Sequence, residues 1–399
     1  MRARIFLVKS AAALIALSIL LVLAPSPDRA AAQDAPPGAP KLDAGSWALI
    51  DADTGMYLAG KDPDKRVPIA STTKLMVALV ALDEGVDLNE KVTVSEDAAA
   101  YAGSIYSNIG LYPYDRVSVR DLLTAALVPS GTDADYALAE HLGDGSVDEF
   151  VAKMNDKAKE LGLKNTHFAN PAGIDAPGNY SSAADLAKIT REAMKYPEFR
   201  EIVNMPEATI STQDREIDTV NTNLLVVPNS GYDYGPATGA KTGTSAQAGF
   251  CVVATAQSGD ESYIAVVLDA AGNLQRFEAA RTALEYGFGE FEHKPLVERG
   301  DPYAKLKLPY RRGETVKLLA QRNVSALAGP GLEVERRPMH KEAPPSAETG
   351  TKLGTVVVSV EGHKVGSSPL VVQKGYEEAS LWQKVTYWAG GLKRWILSR

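Results

Sequence analysis

The pattern of apolar and polar residues changes character several times along the chain, and each change predicts a different structure. Trp47 to Asp51 and Met56 to Ala59 are short apolar runs flanking Asp53-Thr54-Gly55, which predicts a β-hairpin with glycine in the turn. After Pro68 and Ser71-Thr72-Thr73-Lys74, Leu75 to Leu82 is apolar on nearly every side. A helix apolar all round is a buried one, and Gly85 stands where it would end. Helical periodicity returns at Val119 to Leu127, Asp133 to Leu142, Val147 to Leu161 and Arg276 to Phe288. The stretches around Lys241, Phe250 to Ala256 and Tyr263 to Leu268 are short and β-like. Helices and an antiparallel sheet sharing residues 46–292 predict an α+β domain.

Beyond residue 293 the texture differs. Thr315 to Ala320, Leu332 to Glu335, Gly354 to Val360 and Leu370 to Val372 alternate with Gly, Pro and charged turns. That spacing predicts a small all-β sandwich over residues 293–378, with polar Pro338 to Lys352 as a loop. In residues 379–399, Leu381, Val385, Trp388, Leu392 and Trp395 recur at helical steps, with Trp382 and Ile396 beside them. Lys384, Lys393 and Arg394 lie off this stripe and Arg399 ends the chain. The pattern predicts an amphipathic helix lying on a membrane surface. The other home for its apolar face is the protein's own domain, and Gly390-Gly391 weakens the helix.

The beginning of the chain carries an address. Arg2, Arg4 and Lys9 precede the apolar run Ala11 to Leu23, and Ala30-Ala31-Ala32 offers small residues for cleavage. Residues 1–32 therefore read as a secretory signal, and the expected location is the extracytoplasmic face of the bacterial membrane. An uncleaved anchor is the alternative, although the apolar run is short for a span. Residues 33–45, rich in Ala and Pro, read as a linker.

Charge and cysteine content narrow the chemistry. The formal net charge of −8 becomes more negative when residues 1–32 are removed, so nucleic acid is not an expected partner. Cys251 is the single cysteine, so no intramolecular disulfide can form. Its apolar neighbours make it a core thiol rather than a nucleophile. His141, His167, His293, His340 and His363 show no HExxH or similar spacing, so neither a metal nor another cofactor is expected.

Ser71-x-x-Lys74, Ser130-Gly131-Thr132 and Lys241-Thr242-Gly243 follow one another in that order. Each is weak alone: Ser71 could be a simple helix cap and Lys74 a solvated first-turn lysine. Together they suggest nucleophilic catalysis. Serine needs a base to take its proton, and three residues along a helix put Ser71 and Lys74 on one face, with the amine in reach of the hydroxyl. A buried lysine near another cation, here Lys241, loses its proton more easily. The helix N-terminus points N–H groups at developing negative charge.

At this point the sequence resembles a known family. Pro68-Ile69-Ala70-Ser71-Thr72-Thr73-Lys74-Leu75-Met76 is similar to the active-site segment of the low-molecular-weight penicillin-binding proteins, the serine D-Ala-D-Ala carboxypeptidases. The resemblance extends to Leu122 to Glu140, Thr166 to Gly173, Asn221 to Leu225, Gly239 to Thr244, and Arg276 before Tyr286-Gly287-Phe288. It runs from about Ser46 to Phe288, and the β-rich segment and terminal helix match the family's usual tail. It implies a β-lactamase/transpeptidase-like catalytic domain, an antiparallel sheet flanked by helices. The implied substrates are peptidoglycan stem peptides, with β-lactams as covalent inhibitors.

The resemblance also implies roles. Ser71 would attack the carbonyl between the terminal D-alanines, Lys74 would be the base, and Ser130 would relay a proton to the leaving nitrogen. The N–H groups of Ser71 and Thr244, the latter next to Gly243, would form the oxyanion hole. Lys241, Thr242 and Arg276 would hold the substrate carboxylate. Thr132 departs from the family's usual Asn, exchanging an amide for one hydroxyl. Asn179 stands where the family often has a histidine. A non-catalytic peptidoglycan-binding protein on the same fold is the main rival reading, favoured by Thr132 and opposed by the retained Ser71 and Lys74. A class A β-lactamase fits less well, because no ExxLN-like segment lies between the second and third motifs. A D,D-endopeptidase uses the same machinery.

Overall fold

The computed structural model describes residues 36 and 38–397; the expected signal segment lies outside them. Strands Ala44–Asp51, Tyr57–Lys61, Ala237–Ser245, Gly249–Ser258 and Glu261–Ala270 form an antiparallel five-stranded sheet. The first two make the expected hairpin, with Asp51 N–H donating to the Met56 carbonyl at the turn. Glu261–Ala270 pairs with Ala44–Asp51 in the middle, and Ala237–Ser245 occupies the far edge.

Both faces of this sheet are covered, which explains why its strands read as continuous apolar runs rather than alternating ones. Strand side chains alternate between faces. Cys251, Val253, Ile264, Val266 and Leu268 pack with helices Lys74–Asp83, Val119–Leu127, Thr132–Leu142 and Ala183–Ala193. Val252, Ala254, Ala265 and Val267 pack on the other side with Phe277, Ala280 and Leu284 of helix Gln275–Glu290. Every residue of Lys74–Asp83 from Lys74 to Leu82 is buried, as its all-round apolar pattern predicts.

Two helices and a hairpin are among the elements that escape the periodicity reading. Helix Ala183–Ala193 starts at Ser182, whose hydroxyl accepts the Asp185 N–H, and Pro197–Val203 carries proline in its first turn. These were legible start signals. The hairpin Glu207–Ser211/Glu216–Val220 is mostly polar and gave no such signal.

The chain then continues as an all-β region. Pro302–Lys307, Thr315–Ala320, His363–Val372, Lys352–Val360 and Val334–His340 form one sheet in that order, and Glu292–Val297 pairs with Val324–Ala328. The expected loop at Pro338 to Lys352 is corrected at both ends: Lys352 opens a strand, and Pro338, Met339 and His340 continue another, with Pro338 opposite Val356. That strand lies at the sheet edge, where a residue without an N–H is tolerated. Helix Leu381–Leu397 ends the described chain, and Arg312 donates to the Tyr387 carbonyl to hold it.

Candidate active site

Ala70–Thr73 form a single 3-10 turn that runs directly into Lys74–Asp83. Ser71 therefore sits half-buried at the head of a helix, and Lys74 is its first α-helical residue. Left-handed backbone marks each motif: Ala70 (φ 46°) precedes Ser71, Ser130 has φ 72°, and Ala240 (φ 99°) precedes Lys241. Such residues cost about 1–3 kcal/mol each and persist only where surrounding packing fixes them.

That packing is visible around the serine turn. A Cβ on Gly243 would lie 2.8 Å from the Ile69 carbonyl oxygen and 3.1 Å from the Ser71 and Thr72 nitrogens. The third motif needs glycine because its strand passes against the backbone N–H groups of the turn. On another side, Gly173 (φ 78°) is pressed so closely that a Cβ there would strike the Ala70 carbonyl. Asn170 fixes this second contact by accepting from the N–H groups of Gly173 (2.8 Å) and Ile174 (2.9 Å). Asn179 joins the same loop, accepting from Ala169 N–H (3.3 Å) and donating to the Ile174 carbonyl (3.3 Å). Its amide thus serves the backbone that supports the serine turn.

The second motif opens helix Thr132–Leu142. Buried Asp133 accepts N–H groups from Ile109 (3.2 Å) and Leu111 (3.0 Å), and Thr132 N–H donates to the Ser107 carbonyl (2.7 Å). The segment 107–111 is thereby tied to this helix head. Ser130 and Thr132 are both buried.

Lys74 has a partner that a shared helix face does not predict. Its amine donates to Asp135 Oδ2, both side chains are fully buried, and no hydrogen bond joins it to the Ser71 hydroxyl. Serine and lysine do share the head of one helix, yet an unforeseen carboxylate has taken the amine. Asp135 was detectable in principle: it stands on the buried face of its helix with Ala134, Leu138 and Leu142, and a carboxylate there must have a partner. Burial pushes its carboxyl up to about 6, against the pull of Lys74 and Lys241.

Lys241 completes the cluster from the edge strand. It is fully buried, donates to the Thr242 carbonyl at 3.0 Å, and burial drives its amine well below the usual lysine range. The nearby Lys74 charge adds to that, Asp135 opposes it, and Arg276 contributes last. Thr242 Oγ1 donates to Thr222 Oγ1 at 2.6 Å, and Thr222 N–H donates to the Val128 carbonyl at 3.1 Å. Asn223 donates to the Gly239 carbonyl (3.1 Å), beside strained Ala240. Thr222 and Asn223 were among the resembling stretches but were not singled out.

Arg276 is buried at the start of its helix. Its Nη1 donates to the Gly243 carbonyl (3.1 Å), Thr244 Oγ1 (3.0 Å) and the Cys251 carbonyl (3.3 Å). Burial draws its guanidinium down to about 10, still charged at neutral pH. As it stands, the guanidinium braces the third-motif strand. Cys251 is fully buried and burial pushes its thiol up to about 11, which leaves it unreactive. A hydroxyl at a helix head, a glycine strand against its N–H groups and buried amines nearby are suited to acyl transfer.

Comparison with known proteins agrees. Residues 31–272 match the family described as D-alanyl-D-alanine carboxypeptidase, and residues 291–378 match the penicillin-binding protein 5 C-terminal domain. The chain is 34% identical to D-alanyl-D-alanine carboxypeptidase DacF of Bacillus subtilis, covering 84% of this chain and 87% of that one. With DacC of Escherichia coli the identity is 33%, over 87% and 88%. Penicillin binding protein 5 from Haemophilus influenzae superposes with a TM-score of 0.63 at 31% identity, covering 85% of this chain and 99% of that one. The Streptomyces K15 DD-transpeptidase gives 0.58 at 36% identity, over 63% and 99%.

Proposed function

Because this chain belongs to the D-alanyl-D-alanine carboxypeptidase family, we propose that it removes the terminal D-alanine from peptidoglycan stem peptides through an acyl-enzyme on Ser71. The observation that carries this reading is the convergence of Lys74, Lys241 and the Gly243 strand on the one-turn helix holding Ser71. Ser71 Oγ bonds the carbonyl carbon between the two D-alanines while its proton passes to Lys74 Nζ. The Ser71 N–H and that of Thr244, the residue after Gly243, receive the oxyanion. The C–N bond then breaks, Ser130 passes a proton to the leaving nitrogen, and water later releases the shortened peptide.

In this reading Lys241, Thr242 and Arg276 are the residues suited to the substrate's free carboxylate, by charge and hydroxyl donation. Thr132 occupies the position of the usual amide. β-Lactams acylate Ser71 as mimics of the same dipeptide end. Mass spectrometry of a pentapeptide ending in D-Ala-D-Ala, incubated with residues 33–399, tests the reading. Loss of one alanine, together with penicillin labelling, is expected, and both vanish in Ser71→Ala; an unlabelled, inert wild type would mean a binder without catalysis.

The same reading places the protein outside the cell, on the membrane surface. The signal-like residues 1–32 support export. In helix Leu381–Leu397, Leu381 (82% exposed), Trp382 (75%) and Val385 (57%) turn to solvent, while Trp388 (66%) is exposed on one side and tilts against the Tyr310 ring of the β-rich region on the other, at 6.4 Å. Among the described residues no helix is long and apolar enough to cross a membrane. An exposed tryptophan- and leucine-bearing face is what an interfacial helix presents. The side chains of Leu392, Lys393, Arg394, Ile396 and Arg399 lie outside the described residues. Residues 33–399 should float with phosphatidylglycerol vesicles, and a chain ending at Ser380 should remain behind while still trimming soluble peptide. Equal flotation of both would remove the helix from this role.

A further inference from the structure

The base of the proposed reaction has a partner that the reaction does not call for. Lys74 Nζ donates to Asp135 Oδ2 in a fully buried pair, while Ser71 lies outside its hydrogen bonding. Three other charged groups surround the pair. Lys241 approaches from the edge strand, Arg276 stands beyond it, and Asp133 shares the helix of Asp135. The Asp133 carboxylate is engaged by the N–H groups of Ile109 and Leu111, so Asp135 is the carboxylate paired with the base. Its second oxygen is buried without a hydrogen bond, which leaves Lys74 as its hydrogen-bonding partner.

Resting on the function proposed above, we propose that Asp135 is a positioning residue that holds the Lys74 amine in a buried ion pair and so throttles acylation. The pair shares one proton. With the proton on nitrogen it is an ion pair and cannot act as a base. With the N–H bond broken and the proton on Oδ2, it is a neutral amine beside a carboxylic acid. Only the second form can take the Ser71 proton as Oγ bonds the carbonyl carbon.

Both forms hold the same number of protons, so pH does not change their ratio. Acylation should therefore be nearly flat above the point where the doubly protonated pair loses its first proton, which burial sets at about 6. Without the carboxylate no such exchange exists, and the neutral fraction of any lone amine rises with pH, by at most about tenfold per unit.

The test is the second-order rate of acylation by a fluorescent penicillin, measured from pH 6 to 8 for wild type and Asp135→Asn. The variant-to-wild-type ratio should exceed one at pH 7, rise by up to about tenfold from pH 6 to pH 7, and be no smaller at pH 8. A constant ratio, or a variant slower than wild type at pH 7, overturns the proposal. Should the variant not fold, the wild-type profile still decides: near-flatness supports the proposal, and a rise of about tenfold per unit refutes it. A wild type that is never acylated would instead sink the peptidase reading, and is distinguishable for that reason.

Discussion

Replacing Lys74 by Met should slow penicillin acylation about 10²- to 10⁴-fold, the usual worth of a positioned base, and should also destabilise the fold in a pH-dependent way. Methionine keeps most of the buried stem, so packing alone changes little. What is lost is the charge opposite Asp135, and an unpaired buried carboxylate costs about 3–5 kcal/mol. The carboxyl can escape this cost by taking a proton. Its folded pKa is already raised to about 6 by burial, and Lys74 is the partner that pulls it down. Removing Lys74 raises it further above the unfolded value of 3.8. The folded state then binds the proton more tightly, so stability is lost as pH rises from about 4 through the folded pKa. Urea denaturation at pH 5 and pH 8 reads this directly: the deficit against wild type should be small at pH 5 and large at pH 8. A deficit equal at both pH values would show that Asp135 does not feel Lys74.

Gly173→Ala should be the most damaging small substitution outside the motifs. It combines a left-handed backbone with a methyl group directed at the Ala70 carbonyl, the residue before Ser71. Neither backbone can retreat easily, because Ala70 is itself held at φ 46° and Gly173 N–H is bound by Asn170. A loss of about 3 kcal/mol or more is expected, with acylation falling about 100-fold as the serine turn is displaced. Gly178→Ala is the control. It shares the left-handed backbone (φ 85°), but its nearest neighbour is the edge of the His167 ring at 3.6 Å. Only the conformational cost of about 1 kcal/mol should appear there, with acylation intact. Denaturation midpoints and labelling rates compare the two, and equal behaviour would mean that the serine turn tolerates movement.

The sequence determined much of this protein by itself. Continuous apolar runs and period-3.6 patterning specified the central strands and most of the helices, because burying one face or two leaves a visible apolar record. The order and local settings of Ser71, Lys74, Ser130 and Lys241 specified the class of chemistry. Thr132 was legible as a departure, since it sits inside a motif of fixed spacing. Pro338 misled because proline is punctuation within a sheet but acceptable at its edge, and edge position is a property of the assembled sheet.

Only the tertiary structure decided what Lys74 touches. A helix fixes which residues share its own face, so Ser71 and Lys74 were brought together correctly at the level of backbone. Which carboxylate a neighbouring helix delivers to a buried amine depends on how two helices pack. Asp135 is 61 residues from Lys74 in the chain, and no local pattern links them. The same holds for Gly173 and Gly243: the sequence marks both as parts of resembling segments, but only the approach of distant backbone shows why a side chain is impossible there.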